Sequence, residues 1–127
     1  MTILDTSVWV AFINRADSQH AQALSVLNTV ALPVVVPEYI LVETCSVLTV
    51  KVSKVAAVNW LNFVSDNQNC TLLFSEATWA KEMITFFKTK APRTLSFPDA
   101  ALLQLAQEYT ILTFDKQLAR AIKKNST

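Results

Sequence analysis

Short apolar segments recur along the chain, and longer segments with helical periodicity separate them. Residues 34–36 are three consecutive valines, a run typical of a parallel strand that is buried on both faces. Comparable apolar segments predict further strands at residues 2–5, 71–74 and 110–114. Because helical segments separate these strands, the pattern predicts an α/β protein with a single domain over residues 1–127. We expect a three-layer α/β/α fold with a central parallel sheet of four or five strands.

The predicted helices begin at residues that favour helix N-termini. Serine and aspartate oxygens accept hydrogen bonds from the first backbone N–H groups, and proline has no N–H to satisfy. The helices are predicted at residues 7–13, from Asp17 or Ser18 onward, at 38–50, from a Ser53 cap to 64, from a Ser75 cap to 88, at 98–107, and from Asp115 onward.

The composition limits the possible chemistry. The chain has no glycine, which excludes the glycine-rich phosphate-binding loops of the Walker and Rossmann kinds. One histidine and two cysteines cannot form a Cys/His zinc site, so the available metal ligands are carboxylates, which prefer hard cations.

The chain carries no recognisable membrane or export signal. Its apolar runs are shorter than the roughly 18 residues that span a bilayer, and no signal peptide is visible. We therefore expect a cytoplasmic protein with no membrane attachment, in which Cys45 and Cys70 stay reduced.

Four acidic residues occupy unusual positions in this pattern. Asp5 and Asp115 follow the first and fourth predicted strands, Asp99 lies in the first turn of a helix, and Glu43 lies on an apolar helix face. That face also carries Tyr39, Ile40, Val47 and Val50. Each acid has a structural alternative: a helix cap for Asp5 and Asp115, and stabilisation by the helix dipole for Asp99. For Glu43 the alternatives are an internal ion pair with a lysine or arginine, or a position at the edge of the apolar face.

The topology can bring these acids together. Asp5 and Asp115 end parallel strands at the carboxyl edge of the sheet, where open α/β folds bind ligands. Two carboxylates about 4 Å apart repel by about 4 kcal/mol at an effective dielectric near 20. A divalent cation would relieve that repulsion, which explains a carboxylate at the end of a buried strand.

The same segments resemble the PIN domain family, the metal-dependent nuclease fold that includes the VapC-type ribonucleases of toxin–antitoxin pairs. The resemblance rests on LDTSVWVAF, PEYILVETCSVL, SFPDAALLQLAQ and ILTFDKQL, in this order over almost the whole chain. It implies a Mg²⁺ or Mn²⁺ site held by Asp5, Glu43, Asp99 and Asp115, which would also be the catalytic residues. Thr6 or Thr113 would support this site through their hydroxyl groups.

The resemblance also implies hydrolysis of RNA phosphodiester bonds, dimerisation with a second copy, and neutralisation by a small antitoxin protein laid across the cleft. Family members commonly have a fifth strand after the last helix, whereas this sequence ends at AIKKNST. We therefore expect the fifth strand to be missing or vestigial.

Basic residues suggest where RNA would lie. The net charge is +1, but with four of the ten acidic residues assigned to the metal, eleven basic residues face six acids, a balance of +5. Lys88, Lys90 and Arg93 precede the Asp99 helix and are candidate phosphate contacts, although a solvated loop explains them equally well.

Two other functions compete with a ribonuclease. One is a non-catalytic PIN-like module that binds RNA or protein. The other is an aspartyl-phosphate phosphatase or receiver domain. Ser7 stands where such phosphatases need a second aspartate, and the third predicted strand, in TLLFSE, is not followed by the aspartate that a receiver phosphorylates, so both are disfavoured. The chain has three tryptophans, Trp9, Trp60 and Trp79, and all of them lie within predicted helices. For each of them we favour core packing over base stacking.

Overall fold

The computed structural model describes residues 1–125, and the predicted parallel sheet is present in them. Its strands are β1 (Thr2–Leu4), β2 (Val34–Pro37), β3 (Cys70–Leu73) and β4 (Thr110–Leu112), in the spatial order β3-β2-β1-β4 with all pairs parallel. Ile3 of the central strand β1 pairs with Val35 on one side and Ile111 on the other. The carboxyl ends of all four strands therefore meet at one edge.

Seven helices flank this sheet within the described residues and complete the predicted α/β/α arrangement. They are α1 (Thr6–Ile13), α2 (His20–Thr29), α3 (Glu38–Lys51), α4 (Lys54–Asp66), α5 (Trp79–Thr89), α6 (Phe97–Leu105) and α7 (Lys116–Asn125). Helices α1 to α4 pack on one another, as do α5 to α7. Residues 1–125 contain no fifth strand and no helix that is long and apolar enough to cross a bilayer.

The core is built on the strands and on two buried tryptophans. Ile3, Leu4 and Val36 are fully buried, which agrees with a sheet covered on both faces. Trp9 of α1 and Trp60 of α4 are also fully buried, and their rings meet edge to face at 5.6 Å. This contact joins the first helix, which begins directly after Asp5, to the fourth helix.

Strand β4 ends two residues earlier than predicted. The backbone N–H groups that follow it donate hydrogen bonds to side chains instead of to a neighbouring strand. The Phe114 N–H donates to Ser7 Oγ at 3.1 Å, and the Asp115 N–H donates to Thr113 Oγ1 at 3.0 Å. These bonds turn the chain away from the sheet. The apolar run in the sequence continues past the point where pairing stops.

Helix α5 begins at Trp79, and the prediction that Ser75 caps it is wrong. The Ser75 N–H instead donates to Glu38 Oε2 at 3.0 Å, which ties the end of β3 to the start of α3. Helix α2 likewise begins later than predicted, at His20, after a turn in which Asp17 accepts a hydrogen bond from the Gln19 N–H.

The apolar face proposed for α3 is only partly correct. Val50 is 86% exposed, whereas the buried residues of the helix are Ile40, Thr44 and Leu48. Glu43 is half-buried beside this stripe, next to Thr44. Its carboxylate is therefore directed to the border between the core and the sheet edge.

Candidate active site

Asp5 lies at the centre of the candidate site because β1 is flanked by strands on both sides. Its side chain is only 6% exposed, and its backbone N–H extends the β1–β4 ladder by donating to the Leu112 carbonyl at 2.9 Å. Oδ1 accepts the Thr6 N–H at 2.7 Å and so caps helix α1. The capping role that sequence offered as an alternative is real, but it uses one carboxylate oxygen.

The second oxygen of Asp5 is held by hydroxyl groups from both ends of the chain. Thr113 Oγ1 donates to Asp5 Oδ2 at 2.7 Å, and Ser7 Oγ donates to the same oxygen at 3.1 Å. Because these donors are neutral, they orient the carboxylate without cancelling its charge. Ser7 was not among the predicted site residues, although its position two residues after a strand-end aspartate was a signal for this role.

Glu43 is positioned by a second hydroxyl chain. Thr6 Oγ1 donates to Glu43 Oε1 at 2.6 Å and lies 2.9 Å from Thr44 Oγ1. Since the Thr6 hydroxyl has one hydrogen and gives it to Glu43, the fully buried Thr44 must be the donor in the second contact. Thr6 therefore links the end of β1 to helix α3, and its role in supporting a metal site stays a prediction. Thr44 was missed because the sequence gives no sign of its burial.

Asp99 lies in the first turn of α6, whose N-cap is Ser96: the Asp99 N–H donates to Ser96 Oγ at 3.3 Å. Partial burial raises the pKa of Asp99, a side-chain hydrogen bond with Ser96 opposes the rise, and the charges of Asp5, Asp115 and Glu43 add to it. The charges that perturb Asp99 therefore come from the three other predicted acids. All four contribute to one negative electrostatic field.

Asp115 is exposed and caps α7. Its Oδ1 accepts the Gln117 N–H at 2.9 Å and the Leu118 N–H at 3.1 Å. Thr113 joins this residue to Asp5, because its hydroxyl accepts the Asp115 N–H while donating to Asp5 Oδ2. Thr113 is therefore hydrogen-bonded to both Asp5 and Asp115.

Tyr39 borders the acids from the start of α3. Burial raises the pKa of its phenol, and the charges of Asp5, Glu43 and Asp99 raise it further, so the hydroxyl keeps its proton. Its oxygen is buried and has no hydrogen-bond partner among the described residues. A buried hydroxyl without a partner is costly, and at Tyr39 this hydroxyl lies within the electrostatic reach of three of the acids.

Carboxylates are the ligands that hard cations prefer, but the carboxylate oxygens of these acids do not surround one common position. Within residues 1–125, no three histidine, cysteine, aspartate or glutamate side chains are close enough to hold one metal ion. Asp5 and Glu43 instead use oxygens in hydrogen bonds with hydroxyl and amide groups. Carboxylate oxygens and the repulsion between them are the chemistry that Mg²⁺ or Mn²⁺ prefers.

The candidate RNA contacts lie on the segment between α5 and α6. Lys88 is in the last turn of α5, Lys90 follows that helix, and Arg93 lies in the loop before α6. All three side chains are exposed. They are accessible to a phosphate backbone, and their role in binding stays a prediction.

The fold and the acidic sheet edge define a class of α/β proteins with a carboxylate site at the ends of parallel strands. The sequence model of the PIN domain family matches residues 2–124, and the chain belongs to this family. The resemblance noted from the sequence motifs is thereby confirmed.

Comparison with solved structures supports the same fold. VapC20 of Mycobacterium tuberculosis, a toxin that cleaves the sarcin–ricin loop, is similar in structure with a TM-score of 0.83. The sequences are 20% identical, and the match covers 95% of each chain. A search of curated proteins finds no match.

The raised pKa of Asp99 predicts how stability varies with pH. Folding makes this carboxyl harder to ionise, so its contribution to stability is complete below the pKa of the unfolded chain, about 3.9, and is lost as pH rises through the higher folded pKa. Without divalent cations, we expect Asp99→Asn to raise the melting temperature at pH 7. The gain should shrink as the pH falls towards 4.

Thermal unfolding followed by circular dichroism between pH 4 and pH 8, in a chelating buffer, measures this difference. Asp66→Asn, at the exposed end of α4, is the matched control and should not reproduce it. A lower melting temperature for Asp99→Asn at pH 7 would contradict repulsion among the acids.

The hydroxyl of Thr113 supplies a second prediction. Thr113→Val removes the donor to Asp5 Oδ2 and the acceptor for the Asp115 N–H. We expect it to lower the free energy of unfolding by about 1.5 to 3 kcal/mol, as for the loss of a hydrogen bond to a charged group. Urea denaturation measures the loss, with Thr110→Val at an exposed position of β4 as the control. Losses of the same size in both variants would show that Thr113 does not orient Asp5.

Proposed function

We propose that this protein is a metal-dependent endoribonuclease that hydrolyses RNA phosphodiester bonds. The observation that carries the proposal is the mutual action of four carboxylates, Asp5, Glu43, Asp99 and Asp115, from separate segments at the carboxyl edge of the sheet. Membership of the PIN domain family supports it. The likeness to VapC20 further supports a role as the toxin of a toxin–antitoxin pair.

The four carboxylates would hold Mg²⁺ or Mn²⁺ and act as the catalytic residues. When bound, the cation lowers the pKa of a water molecule and offsets negative charge on the phosphate. The chain's own contribution is orientation: Thr113 and Ser7 keep one oxygen of Asp5 in place, and Thr6 does the same for Glu43. Such fixed hydrogen bonds to metal-binding groups typically change affinity or activity by about 10- to 100-fold.

Lys88, Lys90 and Arg93 would contact the RNA backbone. Their positive charges lie on the segment that leads into the Asp99 helix, so phosphates held there would approach the acids along that helix. This attraction should be electrostatic and weaken with added salt. A second copy of the chain and a small antitoxin protein are the further partners we propose.

A non-catalytic PIN-like module that binds RNA or protein is the second candidate. It is favoured by one observation: the carboxylate oxygens in residues 1–125 do not form a ready ligand shell for an ion. A cleavage assay separates the two functions, because only the ribonuclease needs its acids for turnover.

Incubation with mixed RNAs and Mn²⁺ is the direct test of cleavage. We expect the wild-type chain to cut RNA and Asp5→Asn to lose activity by more than roughly 100-fold, beyond the cost of losing a residue that only orients a ligand. Asp17→Asn, in the turn before α2, is the matched control and should cut like the wild type. Equal cleavage by wild type and Asp5→Asn would identify a contaminating nuclease and remove the support for this function.

Metal binding can be measured without RNA. Mn²⁺ at 100 times its dissociation constant should raise the free energy of unfolding by about 2.7 kcal/mol. Glu43→Gln should abolish most of that gain, whereas Glu108→Gln, an exposed residue just after α6, should retain it. Differential scanning fluorimetry over a Mn²⁺ titration gives the comparison. A melting temperature that does not respond to Mn²⁺ would argue against the metal site.

A further inference from the structure

A pocket of about 460 Å³ lies beside the acids at the carboxyl edge of the sheet. It is lined by Glu38, Tyr39, Val42, Glu43, Ser75 and Trp79. These residues follow strands β2 and β3, so the pocket occupies the edge where α/β folds bind ligands. Its volume falls within the roughly 300 to 1,000 Å³ of small-molecule sites.

Two aromatic rings form one wall of this pocket. Tyr39 and Trp79 stack with ring centroids 5.5 Å apart and an interplanar angle of 19°. Phe97 meets Trp79 edge-on at 6.5 Å, and Phe87 packs against Phe97 at 5.3 Å. The stacked pair, which we call the aromatic platform (Tyr39 and Trp79), is therefore part of a cluster of four aromatic rings.

Trp79 differs from the other tryptophans of the chain. Trp9 and Trp60 are fully buried, as predicted from their helical spacing, whereas Trp79 is only half-buried and lines the pocket. The prediction that Trp79 serves core packing is therefore correct for part of its surface. The rest of the indole is available to a ligand.

We propose that the aromatic platform stacks a nucleobase of single-stranded RNA whose phosphate backbone runs past the acids. This inference rests on the proposed ribonuclease function. Glu43 belongs both to the pocket and to the acid cluster, so a base in the pocket and a phosphate at the acids belong to the same short stretch of RNA.

The charges around the pocket favour a base over a phosphate. Glu38 and Glu43 place two carboxylates in its lining, and these repel an anionic group. A nucleobase is neutral, its faces stack on aromatic side chains, and its amino groups can donate hydrogen bonds to carboxylates. Stacking itself tolerates any base, whereas hydrogen bonds to Glu38 and Glu43 favour bases that carry an amino group.

Binding can be tested apart from cleavage in a buffer that contains EDTA. The probe is a short single-stranded RNA oligonucleotide, and its control is an abasic oligonucleotide of the same length and charge. We expect the RNA to quench tryptophan fluorescence and the abasic strand to leave it unchanged, because Trp79 is the tryptophan that reaches the pocket. This measurement uses the wild-type chain and needs no variant.

Variants then test the platform by fluorescence anisotropy of labelled RNA. Trp79→Ala and Trp79→Leu should bind about 5- to 150-fold more weakly, as expected when one base loses its aromatic partner. Trp79→Phe keeps a stacking ring and should bind nearly as well as the wild type, but without the fluorescence response. Trp79→Leu preserves apolar bulk, so a folding defect of the alanine variant does not decide the outcome.

Phe63→Ala is the matched control. Phe63 lines a separate pocket of about 310 Å³ together with Val34 and Cys70, at the opposite edge of the sheet where β2 and β3 begin. Removing its ring should leave RNA affinity unchanged.

The outcomes distinguish this inference from the proposed function. Binding that depends on Trp79 in a protein that cuts no RNA would support the platform and overturn the ribonuclease. Asp5-dependent cleavage with full RNA affinity in Trp79→Leu would overturn the platform and leave the ribonuclease standing. Equal binding of the RNA and abasic strands would also overturn it, and would leave a protein segment as the occupant of the pocket.

Discussion

Repulsion among carboxylates that share one sheet edge is the constraint on which the site depends. The protein holds Asp5 and Glu43 with threonine and serine hydroxyls instead of with lysine or arginine at these contacts. A lysine or arginine side chain at these contacts would neutralise the carboxylates. A neutral hydroxyl donor instead fixes the direction of each carboxylate and leaves its negative charge in place. The cost remains visible at Asp99, whose pKa is raised first by burial and further by the charges of the three other acids. Stability is given up here so that a negative site can exist.

The sheet order explains why distant segments share this constraint. Because β1 lies between β2 and β4, Asp5 at its end is adjacent both to helix α3, which carries Glu43, and to the turn after β4, which carries Thr113. The buried contact between Trp9 and Trp60 secures α1, the helix that starts at Asp5. The strands and the two buried tryptophans thus affect the site indirectly, because they fix the positions of the segments that carry its side chains.

Structural and functional explanations of the acids turn out to be compatible. Asp5 and Asp115 each cap a helix through Oδ1, and Asp5 still offers Oδ2 to the site. A carboxylate has two oxygens, so one residue can cap a helix with the first and accept hydrogen bonds from other segments with the second. On the other side of Glu43, the aromatic platform adds an apolar wall to this charged edge. Acidic and aromatic side chains therefore lie next to each other at this edge of the sheet.

Periodicity and ordered motifs were enough to predict the order of strands and helices, the parallel sheet, the burial of Trp9 and Trp60 and the family, because they are properties of neighbouring residues. Four features emerge only in the folded chain: the end of β4, the hydrogen bonds of Ser7 and Thr44, the exposure of Val50, and the stacking of Trp79 on Tyr39. Each of these depends on contacts between residues far apart in the chain. Side-chain direction and strand register set such contacts, and neither leaves a local pattern in the sequence.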